Sequence, residues 1–245
     1  MLLLNRIFCT FANEMTREED IKKAVEVLRK GGVILYPTDT VWGIGCDATN
    51  AEAVKRVYDI KQRDDSKALI CLVDSDARLQ RYVRNVPDVA WQLIDSLKGV
   101  GRQESGVRRQ ESGVRRQESG VRRQETGDRS RESGDRSQEC KPTTLILDGA
   151  INLAPNLIAE DGSIGMRITQ EPFSKELCYR FQKALVSTSA NISGEPAAQN
   201  YCDIDPRIIE AVDYVCWSRR QEHKPHQPSS IIRLKENGEV EVIRR

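Results

Sequence analysis

The sequence predicts an α/β fold, a single twisted mixed sheet flanked by helices and interrupted by a low-complexity insertion. Three observations predict it. Short apolar runs alternate with amphipathic helical stretches. The runs are bounded by Pro, Gly and small polar residues. One stretch of the 245-residue chain abandons both patterns for a seven-residue repeat. Strict strand–helix–strand alternation is absent, which argues for a mixed rather than a parallel sheet.

The elements follow in order. Thr16 and Glu19 form a T-x-x-E capping box, in which each side chain answers the other's backbone N–H. Ile21, Ala24, Val25 and Leu28 recur at helical spacing, and Gly31-Gly32 ends that helix. Residues 33–36 read as a buried strand stopped by Pro37, and 38–49 as a polar, glycine-bearing loop. Asn50 caps the next helix, along which Val54, Val57 and Tyr58 face the core. A strand is expected at 69–73 and helices at 76–83 and 87–98. After the repeats, strands are expected at 143–147, 163–169, 185–189, 212–216, 230–234 and 240–243, with a helix near 173–183. Asn237-Gly238 between the last two strands is a type I′ hairpin signal.

Between residues 99 and 139 the unit R-Q-E-S-G-V-R recurs, with Gln103, Gln110, Gln117 and Gln124 in register. A coiled coil needs two apolar positions per heptad. Each unit here offers one Val and carries a Gly, which weakens a helix by about 1 kcal/mol. The stretch holds ten Arg against eight Asp and Glu. It reads as a disordered, near-neutral insertion. An Arg-rich arm that contacts RNA is the alternative, and the interleaved acids argue against it. The expected organisation is a tail at 1–14, one domain over 15–245, and the insertion at 99–139 inside it.

Composition excludes several classes. Thirty-eight Lys and Arg against 37 Asp and Glu leave a net charge of +1, too small for nucleic-acid binding by bulk charge. Seven irregularly spaced cysteines without a C-x-x-C read as reduced thiols in a cytosol. His223 and His226 have no Cys or carboxylate cluster beside them at ligand spacing, so no protein metal site is expected. No run approaches the roughly 20 apolar residues of a membrane span, and a cytoplasmic location is expected.

A P-loop motif is absent. Gly43-Ile-Gly45-Cys-Asp-Ala48 fits a dinucleotide fingerprint but stands six residues after its strand and before a separate helix start, which argues against that use. Three polar segments remain. Thr38, Asp39 and Thr40 follow a buried strand, where ligands sit in α/β sheets, although Pro-initiated turns also satisfy their own backbone. Lys61 and Arg63 flank Gln62 at a helix end; they suit either the helix dipole or a triphosphate. Ser187, Thr188, Ser189 and Asn191 end an apolar strand before Gly194, a cluster of neutral donors suited to phosphate oxygens or an amino acid's polar ends.

Together these segments resemble the YrdC-like family of threonylcarbamoyl-AMP synthases. The resemblance rests on PTDTVWGIG at 37–45, Lys61 and Arg63 as K-x-R, SIGMRI at 163–168, STSANISG at 187–194, and Pro228-Ser229-Ser230. It covers roughly 16–98 and 141–243. The resemblance implies a nucleotidyltransferase that joins L-threonine, bicarbonate and ATP into L-threonylcarbamoyladenylate and pyrophosphate, the first step of N6-threonylcarbamoyladenosine formation in tRNA. It assigns Lys61, Arg63, Ser189, Asn191 and Ser229 to ATP. It assigns Thr38, Thr144, Arg167 and Ser187 to threonine. No residue acts as a covalent nucleophile, and Mg²⁺ arrives with the ATP. Expected partners are tRNA or double-stranded RNA and the proteins that later transfer the threonylcarbamoyl group to tRNA.

The chain departs from the family pattern at two places. Lys67-Ala68-Leu69 stands where members carry a Pro-Leu pair, which makes Lys67 a candidate only. The repeats enter just before Pro142-Thr143-Thr144, where members have a short loop bordering the pocket. Alternatives from other classes are a non-catalytic RNA-binding module in tRNA or ribosome maturation, and a carbamoyl-transfer relative from hydrogenase maturation. On the synthase reading, Lys61→Ala and Asn191→Ala are expected to lower turnover while leaving folding intact.

Overall fold

The computed structural model describes residues 15–62, 69–99, 141–222 and 228–245. Expectations for 1–14, 63–68, 100–140 and 223–227 lie outside the described residues; these include Arg63, Lys67, both histidines and the repeats. By their contacts the described residues divide into two units, those within 15–92 and 141–245, and 93–99.

Helix α1 (Arg17–Arg29) forms as its pattern dictates. Thr16 Oγ1 accepts from Glu19 N, Glu19 returns the bond to Thr16 N, and Ile21, Ala24, Val25 and Leu28 are buried. Such a cap contributes about 1 kcal/mol. The remaining helices are α2 (Ala51–Lys61), α3 (Asp76–Leu79), α4 (Asp88–Gly99), α5 (Pro172–Phe181) and α6 (Pro206–Ala211). The strands are β1 (Ile34–Tyr36), β2 (Gly43–Gly45), β3 (Ile70–Val73), β4 (Thr143–Leu147), β5 (Ile164–Ile168), β6 (Leu185–Ser189), β7 (Tyr214–Val215), β8 (Ser230–Leu234) and β9 (Val240–Arg244). Among the described residues they make one mixed nine-stranded sheet in the order β7-β1-β2-β6-β3-β5-β4-β8-β9.

Four local expectations are corrected. The polar loop expected at 38–49 contains β2, whose Gly-Ile-Gly sequence carries no alternation to announce a strand. The helix expected at 76–83 stops at Leu79, and Val83 instead bridges to Ala150. Helix α6 was not expected at all, although Asp205 caps it and Pro206 occupies its first turn. The β8–β9 hairpin exists, but its turn is not type I′. Asn237 lacks the positive φ which that turn requires, Gly238 N donates to Lys235 O (2.9 Å), and Gly238 takes φ +85°. This is a type I turn closed by a left-handed glycine.

The ladder register decides which side chains share a face. Leu185 stands beside Leu72, and Leu72 beside Arg167; one row on, Ser187 stands beside Ile70, and Ile70 beside Gly165. Residues two apart on a strand point the same way, so Leu185, Ser187, Leu72, Ile70, Arg167 and Gly165 lie on one face. Gly43 stands beside Ser189 and Tyr36 beside Gly43, which extends that face across β2 and β1. Leu145 pairs with Met166, so its neighbour Thr144 falls on the Arg167 face. Helices α1 and α5 cover the apolar part of this face, packing with Ile34, Tyr36, Leu72 and Leu185 into the main core cluster. The polar part, from Ser189 and Ser187 across to Arg167 and Thr144, belongs to the site.

At Gly45 the strands β1, β2 and β6 approach closely. A Cβ there would lie 2.6 Å from both Tyr36 Cε1 and the Val186 carbonyl oxygen. Backbone cannot yield as a flexible side chain does, so Gly45→Ala is expected to cost roughly 1–3 kcal/mol, measured as a lowered urea midpoint with an unchanged slope.

Candidate active site

The first site segment leaves β1 at Pro37 and returns as β2. Thr38 Oγ1 donates to the Val41 carbonyl (2.7 Å), accepts from Thr40 N (3.2 Å) and lies 3.2 Å from Thr40 Oγ1. Both threonines are buried. The hydroxyl therefore builds its own turn while remaining on the face of the site. Asp39 is committed elsewhere: its carboxylate accepts from Thr169 Oγ1 (2.6 Å), Gln170 N (2.8 Å) and Glu171 N (2.9 Å) at the start of α5. A carboxylate there is favoured by the helix dipole, and it fastens the loop to the helix that covers the sheet.

Gly43 lets the loop close on β6. A Cβ on Gly43 would meet Thr38 Cγ2 at 3.1 Å and Ser187 Oγ at 3.4 Å, so the bare backbone brings those two residues together. Arg167 lies across the same face on β5. Its guanidinium is buried, Nη1 reaches Thr40 Oγ1 at 3.4 Å, and Nε has no hydrogen-bond partner among the described residues. Burial lowers the Arg167 pKa from its usual value; Asp39 and Tyr36 oppose the shift, and Arg244 adds to it. Arginine stays protonated regardless, so a cation with an unfilled donor faces the site.

The second cluster joins the end of α2 to the tip of β6. Lys61 is 1% exposed, in keeping with its inward position in the helical pattern. Its Nζ donates to Ser189 O (2.5 Å) and Asn191 O (2.8 Å), with Asn191 Oδ1 at 3.4 Å. Ser193 N returns a bond to Lys61 O (2.8 Å). Ser189 Oγ donates to Asn191 Oδ1 (2.5 Å), and Asn191 Nδ2 donates to Glu195 O (2.6 Å). Lys61 thus carries its charge to the S-x-N turn and also holds that turn's backbone. Lys61→Ala strips donors from two carbonyls, so a loss of stability is expected beside the loss of turnover.

The third cluster lies between β4, β8 and β9. Thr144 Oγ1 and Ser229 Oγ are 3.1 Å apart and buried. Arg244 reaches over them, Nε donating to Ser229 O (2.9 Å) and Nη2 to Ser229 Oγ (3.2 Å). Sequence reasoning missed Arg244. Nothing local distinguishes it from its neighbour Arg245, and only the β8–β9 pairing brings it back to Ser229. Arg167 and Arg244 make no ion pair among the described residues, so their charges converge where an anion is favoured.

The four buried thiols take no part in this arrangement. Burial raises the pKa of Cys46, Cys71, Cys178 and Cys216, which keeps them protonated and unreactive at neutral pH. The site is a floor of glycine and hydroxyl groups edged by Lys61, Arg167 and Arg244.

Comparison with known proteins agrees on the kinship. The Sua5_yciO_yrdC family model, described as "Telomere recombination", matches residues 26–100 and 124–245. The threonylcarbamoyl-AMP synthase of Stenotrophomonas maltophilia strain K279a is 31% identical over 200 residues, covering 80% of this chain and 85% of that protein. E. coli YciO superposes with a TM-score of 0.66 at 22% identity, over 94% of this chain and 90% of its own. P. abyssi Sua5 complexed with L-threonine superposes with a TM-score of 0.64 at 18% identity, over 91% of this chain. The chain spans about half of that Sua5 molecule, 52% of its length. The chain therefore belongs to the Sua5/YciO/YrdC family.

Proposed function

We propose that the protein is a threonylcarbamoyl-AMP synthase, an enzyme that makes L-threonylcarbamoyladenylate and pyrophosphate from L-threonine, bicarbonate and ATP for tRNA modification. The observation that carries this is the buried Arg167 guanidinium, whose Nε has no hydrogen-bond partner among the described residues, on the sheet face that also carries the Thr144–Ser229 hydroxyl pair bonded by Arg244. Such a site suits two anionic substrates. The synthase name of the relative at 31% identity supports the reaction, and the L-threonine held by P. abyssi Sua5 supports the substrate.

In this reading Thr38, Arg167, Ser187 and Thr144 hold threonine, the Arg167 guanidinium facing its carboxylate. Lys61, Ser189 and Asn191 hold ATP phosphates with Arg63, and Ser229 meets the adenylate beside Arg244. Threonine's amine nitrogen bonds to the carbon of carbon dioxide with loss of a proton to water, or to that of bicarbonate with loss of water, to give a carbamate. A carbamate oxygen then bonds to the α-phosphorus as the bond to the pyrophosphate oxygen breaks. Alignment and charge neutralisation supply the rate, and no covalent enzyme intermediate is needed. The site's donors are hydroxyls, amides and cations, and Asp39 is engaged at α5. They fit phosphate oxygens rather than a metal, so Mg²⁺ enters on the triphosphate.

The same reading places the protein in the cytoplasm, handing its product to proteins that modify tRNA. Among the described residues no helix is long and apolar enough to cross a membrane.

Purified protein is expected to release pyrophosphate only when ATP, L-threonine and bicarbonate are all present. Absence of release, with RNA affinity that falls steeply with salt, would favour a binding module instead. Lys61→Ala is expected to cut turnover by about 100-fold or more and, unlike a surface change, to lower unfolding free energy by roughly 1–3 kcal/mol. Kinetics and urea titration of the same preparation check both. Deleting residues 99–139 is expected to leave turnover unchanged or higher, and loss of turnover would assign the repeats a role.

A further inference from the structure

Residues 216–222 return to the Thr38 loop after β7, and one residue there adopts a backbone its side chain disfavours. Arg219 takes φ +64°, in the left-handed region that costs a non-glycine residue about 1 kcal/mol. Such strain persists only where surroundings over-determine it. The surroundings here are specific. The next residue, Arg220, donates through Nε to Cys216 O (2.8 Å) and through Nη2 to Val215 O (2.5 Å). Its guanidinium lies over the Trp217 ring (4.8 Å) and the Tyr201 ring (5.0 Å). Tyr201 in turn packs on Trp42 at the far end of the Thr38 loop (5.2 Å between ring centroids). The turn is thereby fixed from one side.

Arg219 uses that fixed turn to reach the loop. Its Nη1 donates to the Thr38 carbonyl (3.0 Å) and lies 3.5 Å from Glu171 Oε1, while Nε pairs with Glu222 (2.7 Å). Glu171 is itself held: its N donates to Asp39 Oδ1 (2.9 Å), and its Oε2 accepts from Ser174 N (2.6 Å) as the cap of α5. Thr38, Asp39, Glu171 and Arg219 therefore close a ring of contacts. Asp39 ties the loop to α5 through backbone amides, and Arg219 ties the preceding carbonyl to the same helix through Nη1, while its Nε is held by Glu222. The ring fixes the orientation of the peptide between Thr38 and Asp39, and with it the hydroxyls of Thr38 and Thr40 and the Thr40 contact to Arg167.

We propose that Arg219 is a positioning residue for the threonine end of the site: its strained backbone and forked side chain hold the Thr38 loop in its substrate-binding shape. The inference rests on the synthase reading for its substrate. It goes beyond that reading because Arg219 is not among the residues assigned to threonine or ATP, and its bond to the Thr38 loop is to a main-chain carbonyl. It acts by holding the Thr38 main chain.

The test uses Arg219→Gly, Arg219→Ala and Arg219→Lys in the full chain. Glycine removes the side chain and also relieves the φ strain, whereas alanine removes the side chain and keeps the strain. The glycine variant is therefore expected to unfold at a higher temperature than the alanine variant. Both are expected to raise KM for L-threonine roughly tenfold, the scale of one lost charge-assisted hydrogen bond, with KM for ATP changed by less than about twofold. Lysine, which keeps the charge without the fork, is expected to recover part of the threonine KM. Amide hydrogen exchange at Thr40 and Val41 is expected to quicken in the glycine and alanine variants. An unchanged threonine KM and unchanged exchange in Arg219→Gly would overturn the proposal. Wild-type protein that releases no pyrophosphate would instead overturn the synthase reading. The exchange measurement would then still decide whether Arg219 holds the loop.

Discussion

A buried guanidinium that has no salt bridge among the described residues is the constraint on which this structure turns. Arg167 sits within the sheet, 5% exposed, with Nη1 reaching a threonine hydroxyl and Nε unfilled among the described residues. Burying a charge without a close counter-ion is costly, and Asp39 helps only at a distance because its oxygens serve the start of α5. A ligand carboxylate or phosphate repays that cost on binding. The surrounding architecture keeps the charge where a ligand meets it: β3 and β4 flank β5, and Gly165 leaves the floor beside Arg167 bare.

The sheet face is accordingly divided. Its apolar part disappears under α1 and α5, and its polar part stays available because three glycines withhold side chains from it. Gly43 and Gly45 let β1, β2 and β6 approach, and Gly165 spares the space beside Ile70 and Thr144. Lys61 then fixes the far edge by bonding to the turn after β6, and Arg244 fixes the near edge by bonding to Ser229. Stability and function share these contacts. The carbonyls that Lys61 satisfies belong to the turn that carries Ser189 and Asn191, so damage to one is damage to the other.

Much of this was legible in the chain because it is local. The T-x-x-E cap of α1, the inward phase of Lys61 along α2, and the apolar run of β6 ending in hydroxyls are each written within one turn or one strand. What was not legible is non-local or contrary to propensity. Strand β2 has no hydrophobic alternation and exists through its neighbours. Asn237-Gly238 suggested a two-residue turn, and the ladder register chose a longer one. Arg244 joins the site through strand pairing, and Arg219 holds a backbone that an arginine seldom adopts. The commitment of Asp39 to α5 rather than to a ligand likewise depends on a helix that begins 133 residues after it (172 − 39).

The most direct test of the central claim, that this face joins threonine to an adenylate through a carbamate, is the mass of the product. Protein incubated with ATP, Mg²⁺, L-threonine and ¹³C-bicarbonate is predicted to yield an adenylate that contains threonine and one ¹³C atom. An adenylate of threonine without the label, or label that never enters an adenylate, would contradict the account.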